Sequence, residues 1–246
     1  MVIDMSETGA RNEGCGSNPH EQKNTAEQAD VFQTTVRNRV RRGHKRATYD
    51  KKTVYEILDS HFLCHVGFTV GGQPQVIPTC HWREGNKLYW HGASKSQMIT
   101  QLAAGNPACV TVTQLDGLVL ARSAFSTSVN YRSVLCYGQP KLVTNEAEFD
   151  RQMKLFFEQI APGRWNQLRP MTAQERKATA LLEMEIEDAA AKVRAAPPGD
   201  SDESDFPVWA GVVPLRIVQD APVAAPEGEK APLNHETMTR YGWAKI

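Results

Sequence analysis

The chain has no apolar run approaching the length of a membrane span, and its N-terminus has no signal-peptide core. Residence in the cytoplasm, with no membrane partner, is the resulting expectation. It also has no charge excess: 28 Lys and Arg balance 28 Asp and Glu. A global electrostatic attraction to nucleic acid or to an acidic membrane is therefore excluded. Cysteine is scarce. None of Cys15, Cys64, Cys80, Cys109 and Cys136 forms a Cys-x-x-Cys pair, and the odd number argues against a disulfide framework. No Gly-x-Gly-x-x-Gly fingerprint and no internal repeat is present, so neither a dinucleotide-binding parallel fold nor a solenoid is indicated.

What is present fits one soluble domain. The 246 residues are 41% hydrophobic and 23% charged, ordinary for a globular protein. Residues 1–35 are polar and aperiodic and read as a disordered tail, and residues 221–246 read as a second tail around a domain at 36–220. The local exception to the charge balance is Arg37 to Lys52, with eight Lys and Arg residues. It reads either as a phosphate-gripping arm or as a solvated approach to the first helix; nucleic acid ranks last among the partners considered.

Residues 62–107 are the most informative stretch. Phe62, Cys64, Val66, Phe68 and Val70 alternate on one face of a strand, Gly71-Gly72 makes a hairpin turn, and Gln75 to Cys80 returns. With a two-residue turn, His65 opposes Pro78 and Leu63 opposes Cys80. Cys64 and Cys80 then face opposite ways and cannot share one ion, so no metal site is expected. Arg83 to Asn86 turns the chain into Lys87 to His91. A helix follows, with Met98, Ile99, Leu102 and Ala103 as its apolar stripe, Ser94 as N-cap and Gly105-Asn106-Pro107 as stop. Ser94, Lys95 and Ser96 at its start form either an anion site or a capped surface turn.

Further along, Asp50 caps a helix over 51–59 with Val54, Ile57 and Leu58 inward. Residues 108–113 read as a strand, Asp116-Gly117 as a turn into 118–121, and 128–138 as a long strand continuing to Val143. Glu146 to Ile160 is an amphipathic helix, and Thr172 with Glu175 forms a capping box. Residues 181–187 alternate as a strand, 197–205 form an acidic loop, and Trp209 to Val218 is a last strand that Pro214 confines to an edge. Six or seven mostly antiparallel strands with helices between them predict a mainly β (α+β) fold: a split β-barrel with Greek-key character and peripheral helices.

Several motifs in this order resemble a known group. They are Arg46-Ala47-Thr48-Tyr49-Asp50, Leu88 to Ala93, Leu115 to Ser123, Asn130 to Val134, and Val208 to Pro214. Together they resemble the FMN-binding split-barrel superfamily, in its pyridoxamine 5′-phosphate oxidase-related, nitroimidazole-resistance reductase-like branch. The resemblance implies a homodimer with FMN at the subunit interface. It places Val76, Ile77, Pro78 and Thr79 along the flavin, Trp90 and His91 under the ring, Ser94, Lys95 and Ser96 at the phosphate, and Arg132 and Ser133 on a strand facing the cofactor. His91 is the candidate catalytic residue, as proton or hydrogen-bond donor, with a packed structural histidine as its other reading. The implied function is an FMN-dependent oxidoreductase that reduces small electron-poor molecules, nitro-aromatic or quinone, with NAD(P)H. The alternative is a non-catalytic flavin or haem binder. Oxidation of pyridoxamine 5′-phosphate itself is not expected. The Arg-x-His-Asp-Arg clamp of those oxidases is absent, and Ser96 stands where they carry a second basic residue.

Overall fold

The computed structural model describes residues 30–200, 202, 205–225 and 244–245. Most of the two expected tails lies outside these residues. Within the described part of the first, Phe32 is buried in the core and Val31 bridges to Asp50, so the packed chain begins before the expected boundary at 35.

The alternating segment 62–70 forms β2 (Leu63–Val70) and returns as β3 (Gln73–Cys80) through Gly71 and Gly72, both at positive φ. That is the backbone a two-residue hairpin turn needs, and glycine adopts it without steric cost. The register is the one read from the sequence, with His65 opposite Pro78 and Leu63 opposite Cys80. Before it come β1 (Ala47–Thr48) and α1 (Lys51–Asp59), whose N-cap Asp50 accepts the Thr53 amide at 2.8 Å. After it come β4 (Trp82–Glu84), β5 (Lys87–Ala93) and α2 (Gln97–Ala103).

The expected turn at Asp116-Gly117 is instead a β-bulge inside one thirteen-residue strand, β6 (Ala108–Leu120), paired along its length with β7 (Ser128–Gly138). Its opposite edge is shared: β2 pairs with residues 109–111, and β11 (Gly211–Pro214) with residues 117–120. Gly117 makes this possible, because a Cβ there would stand 3.0 Å from Val212 and 3.1 Å from the Val213 carbonyl. Pro214 ends the short added strand, as its missing N–H requires.

Strand β7 does not continue to Val143. It stops at Gly138, and β8 (Pro140–Leu142) joins the second sheet. The sequence had also hidden β10 (Asp188–Arg194), which follows α3 (Glu146–Ile160), α4 (Ala173–Ala178) and β9 (Thr179–Glu185). β7 pairs with β10 in one sheet while β8 pairs with β9 in the other, so the two chains turn the corner side by side. Gly138 sits at that corner, and an added Cβ would lie 2.2 Å from the Glu185 carbonyl oxygen.

The result is a seven-stranded sheet in the order β1-β10-β7-β6-β2-β3, with β11 on β6, and a four-stranded sheet β4-β5-β9-β8. This is an open, largely antiparallel split barrel with helices at its periphery. The strand total exceeds the expected six or seven because short strands and β10 join the long ones. A short parallel pair, β12 (Val218–Gln219) with β13 (Ala244–Lys245), stands apart. Val66, Val110, Val112, Val134, Cys136, Ala189 and Ala191 face the core from the large sheet, against α1, α2 and the inner side of β5. A second core of Trp82, Tyr89, Phe149, Met153, Phe156 and Leu181 joins the small sheet to α3.

Candidate functional site

The expected site residues fall in three places. Val76, Ile77, Pro78 and Thr79 lie on β3, the edge strand of the large sheet. Val76 is 61% exposed and Ile77 39%, which leaves an apolar edge with unpaired backbone groups open to a ligand or partner. Period-two alternation puts Val76 and Pro78 on the outer face of the sheet and Ile77 and Thr79 on the other.

On β7, Ser133 shares that outer face, opposite Thr113 and Lys192, and its hydroxyl donates to the Lys192 carbonyl at 3.4 Å. Arg132 is not a free cation. Its guanidinium donates to both oxygens of Asp116, at 3.0 and 2.8 Å, and this hydrogen-bonded pairing raises its pKa. A role in holding an anionic cofactor would need Asp116 to let go.

The third group runs from β5 into α2. Adjacent strand residues point opposite ways, and the structure separates Trp90 from His91 accordingly. Trp90 is fully buried in the barrel core, its indole N–H without an acceptor, so it is a core residue and not a surface under a ring. His91 is on the α3 side, edge-on to Phe156 at 4.9 Å and 6.1 Å from Trp82. Its Nδ1 is buried and unpartnered, and burial lowers its pKa, so at neutral pH the ring is uncharged. It can offer or accept a hydrogen bond there; it does not hold a second proton.

Ser96, not Ser94, caps α2: its hydroxyl oxygen accepts the Ile99 amide at 3.3 Å. Ser94 is tied elsewhere, its N–H to Ala178 and its hydroxyl, at 3.0 Å, to the Lys177 carbonyl. Its proton is therefore committed and it presents only lone pairs, unsuited to an anion. Lys95 is exposed and has no carboxylate partner among the described residues. The corner that remains consists of the Lys95 ammonium, the Ser96 hydroxyl proton and the amides of Gln97 and Met98, which precede Thr100, the first intrahelical donor. That donor set fits a phosphoryl group, with Ser94 removed from it.

A family model described as pyridoxamine 5′-phosphate oxidase matches residues 50–193, more than half of the chain. The chain belongs to the pyridoxamine 5′-phosphate oxidase family. Among solved structures it is similar to the flavocytochrome Anf3 from Azotobacter vinelandii, at 40% identity and a TM-score of 0.78, covering 83% of this chain and 96% of that one. It is similar also to the FAD and haem binding protein from Mycobacterium smegmatis, at 33% identity and a TM-score of 0.73, covering 78% and 97%. A Bacteroides thetaiotaomicron protein assigned to 5-nitroimidazole antibiotic resistance, 20% identical over 60% of this chain and 86% of its own with a TM-score of 0.51, shares the fold. None of the curated proteins matches. Among the described residues no cluster of His, Cys, Asp and Glu could hold a metal ion, and no helix is long and apolar enough to cross a membrane.

In this family member one polar centre beside the candidate site carries no sequence motif. Gln152, fully buried on α3, accepts the Trp82 indole N–H at 2.7 Å and donates to Glu84 at 2.8 Å and Glu148 at 3.0 Å. Arg151 bridges the same two carboxylates. A polar residue on the inner side of an amphipathic helix was the available signal.

Proposed function

We propose that the protein is a flavin-dependent oxidoreductase that reduces small electron-poor molecules with NAD(P)H, working as a homodimer with the flavin between subunits. The observation that supports this most is the similarity, at 40% and 33% identity over most of the chain, to two proteins described as a flavocytochrome and as an FAD and haem binder. The free donor corner at Lys95, Ser96, Gln97 and Met98 suits the flavin's phosphoryl end. The open edge of β3 offers N–H and C=O groups to the polar rim of the ring. When bound, the flavin supplies the hydride and electron chemistry. His91, held neutral by burial, offers a hydrogen bond to that chemistry and not a charge. For the dimer, register places Val76, Leu115, Leu118, Val129, Leu135 and Val213 on the outer face of the large sheet, all exposed. That much apolar surface on one face is the kind that a second copy covers.

FMN is the cofactor expected from the resemblance, whereas the Mycobacterium smegmatis relative binds FAD and haem. Mass spectrometry of the ligand released from purified protein decides between them, and the absence of any flavin would end the proposal. Lys95→Ala removes one charge-assisted contact of about 1.5–3 kcal/mol and should weaken flavin binding about tenfold to a hundredfold. An unchanged affinity would move the phosphoryl site elsewhere. NAD(P)H oxidation with a nitro-aromatic acceptor should be lost in His91→Ala with flavin still bound.

The second reading is an electron carrier or cofactor binder that holds haem as well as flavin. It is favoured by the haem or cytochrome in both relatives' descriptions. The donor set permits it, since His44 and His65 are exposed and their imidazole rings have no hydrogen-bond partner among the described residues. A Soret band in the purified protein supports this reading, and its loss in His65→Ala or His44→Ala would name the ligand.

A further inference from the structure

Between α3, the loop after it and α4 lies a cavity of about 440 Å³, within the range of small-molecule pockets. Phe157 and Trp165 form its aromatic walls, with ring centroids 5.3 Å apart. Met153 and Met171 add polarizable sulfur. The charges at the rim are largely matched within the protein. Arg169 has both terminal nitrogens on Glu175, and Arg176 gives Nη2 to Asp150. The Nε and Nη1 of Arg176 have no acceptor among the described residues.

We infer that this cavity is a binding site for a neutral, electron-poor arene carrying an oxygen acceptor, a quinone or nitroarene. Electron-rich ring faces and thioethers attract a ring depleted of electron density. The paired rim charges leave no net charge to recruit an anion, and the unmatched N–H groups of Arg176 meet a carbonyl or nitro oxygen. A series of ring contacts also links the pocket to His91 of the candidate site. Ring contacts run from Trp165 to Phe157 at 5.3 Å, on to Phe156 at 5.5 Å and then to His91 at 4.9 Å. The inference takes its substrate class from the proposed function and adds the place where that class is held. Haem fits this pocket poorly, because its lining has no histidine or cysteine and only the two methionines as soft ligands.

The test is binding of duroquinone to the purified protein by tryptophan fluorescence. The probe is fully methylated and so does not add to the free cysteines. Saturable quenching is expected, most of it lost in Trp165→Phe. Leu168→Glu, at a lining position 37% exposed and so tolerant of change, should weaken binding at least tenfold with unaltered flavin content. Linear, non-saturating quenching overturns the inference, as does binding indifferent to Leu168→Glu. Haemin that displaces duroquinone, with a Soret shift abolished in Met171→Leu, would overturn it in favour of a haem cradle. Saturable binding without NAD(P)H-driven turnover would instead sink the proposed activity and leave the pocket standing.

Discussion

Lowering the pH from 7 to 5 should destabilise the fold by about 2 kcal/mol through His81 alone. The ring is completely buried, its Nδ1 3.1 Å from the Phe62 carbonyl and its Nε2 3.1 Å from that of Leu58. Two forces oppose each other there. Two carbonyl acceptors call for two N–H donors, which only the imidazolium supplies. Burial penalises that charge, by several kcal/mol against the 1.5–3 kcal/mol of a second, charge-assisted hydrogen bond. Burial prevails and pushes the pKa down to about 4 from 6.5. Between those two values the unfolded chain takes up a proton that the folded one refuses. Stability is therefore complete above pH 6.5 and falls by about 1.4 kcal/mol per unit below it, reaching about 3 kcal/mol near pH 4. Urea unfolding at pH 7, 6 and 5, on wild type and His81→Gln, isolates the effect, since other titrating groups cancel in the difference of slopes. If the wild type holds or gains stability against the variant as pH falls, the buried ring is an imidazolium and the reasoning is wrong.

Gly138→Ala would force a methyl into the Glu185 carbonyl and against Met184 Cγ at 2.8 Å, so a loss of about 4 kcal/mol or more is expected; a thermal midpoint within a few degrees of wild type would show that the corner is soft. Gln152→Leu leaves the Trp82 indole N–H buried without an acceptor, a penalty of about 1–3 kcal/mol, and a double-mutant cycle with Trp82→Phe should recover part of it. Hydrogen bonds from Arg151, first among its causes, hold the Glu148 pKa down to about 2. Its contribution is present above about pH 4.5 and is lost as pH falls towards 2; Arg151→Met should flatten that acid limb, modestly because the pair is exposed.

The parts of the fold that a sequence displays are those decided locally. Asp50 and the Thr172–Glu175 box sit where their side chains satisfy the first amides of a helix, and each is found doing so. The β2–β3 register followed from one glycine pair. Strand β10 was hidden because Asp188-Ala189-Ala190-Ala191 carries helix propensity and no alternation. Ala189 and Ala191 are buried on the face where α1 packs across the sheet, a tertiary demand for small side chains. The same holds at the candidate site. Ser94 looked like a cap, but its partner Lys177 is 83 residues away, beyond any local pattern. Trp90 is different: strand alternation already set it opposite His91, and only the resemblance had put both under one ring.

The divided edge of β6 gives the last strand an importance out of proportion to its four residues. Its complement, β11, emerges from the ribosome some ninety positions later, so a nascent or C-terminally shortened chain carries a naked ladder at Gly117–Leu120, flanked by apolar side chains. Such a ladder templates self-association. Proteolysis within the acidic 197–205 segment should therefore yield not a smaller monomer but aggregates.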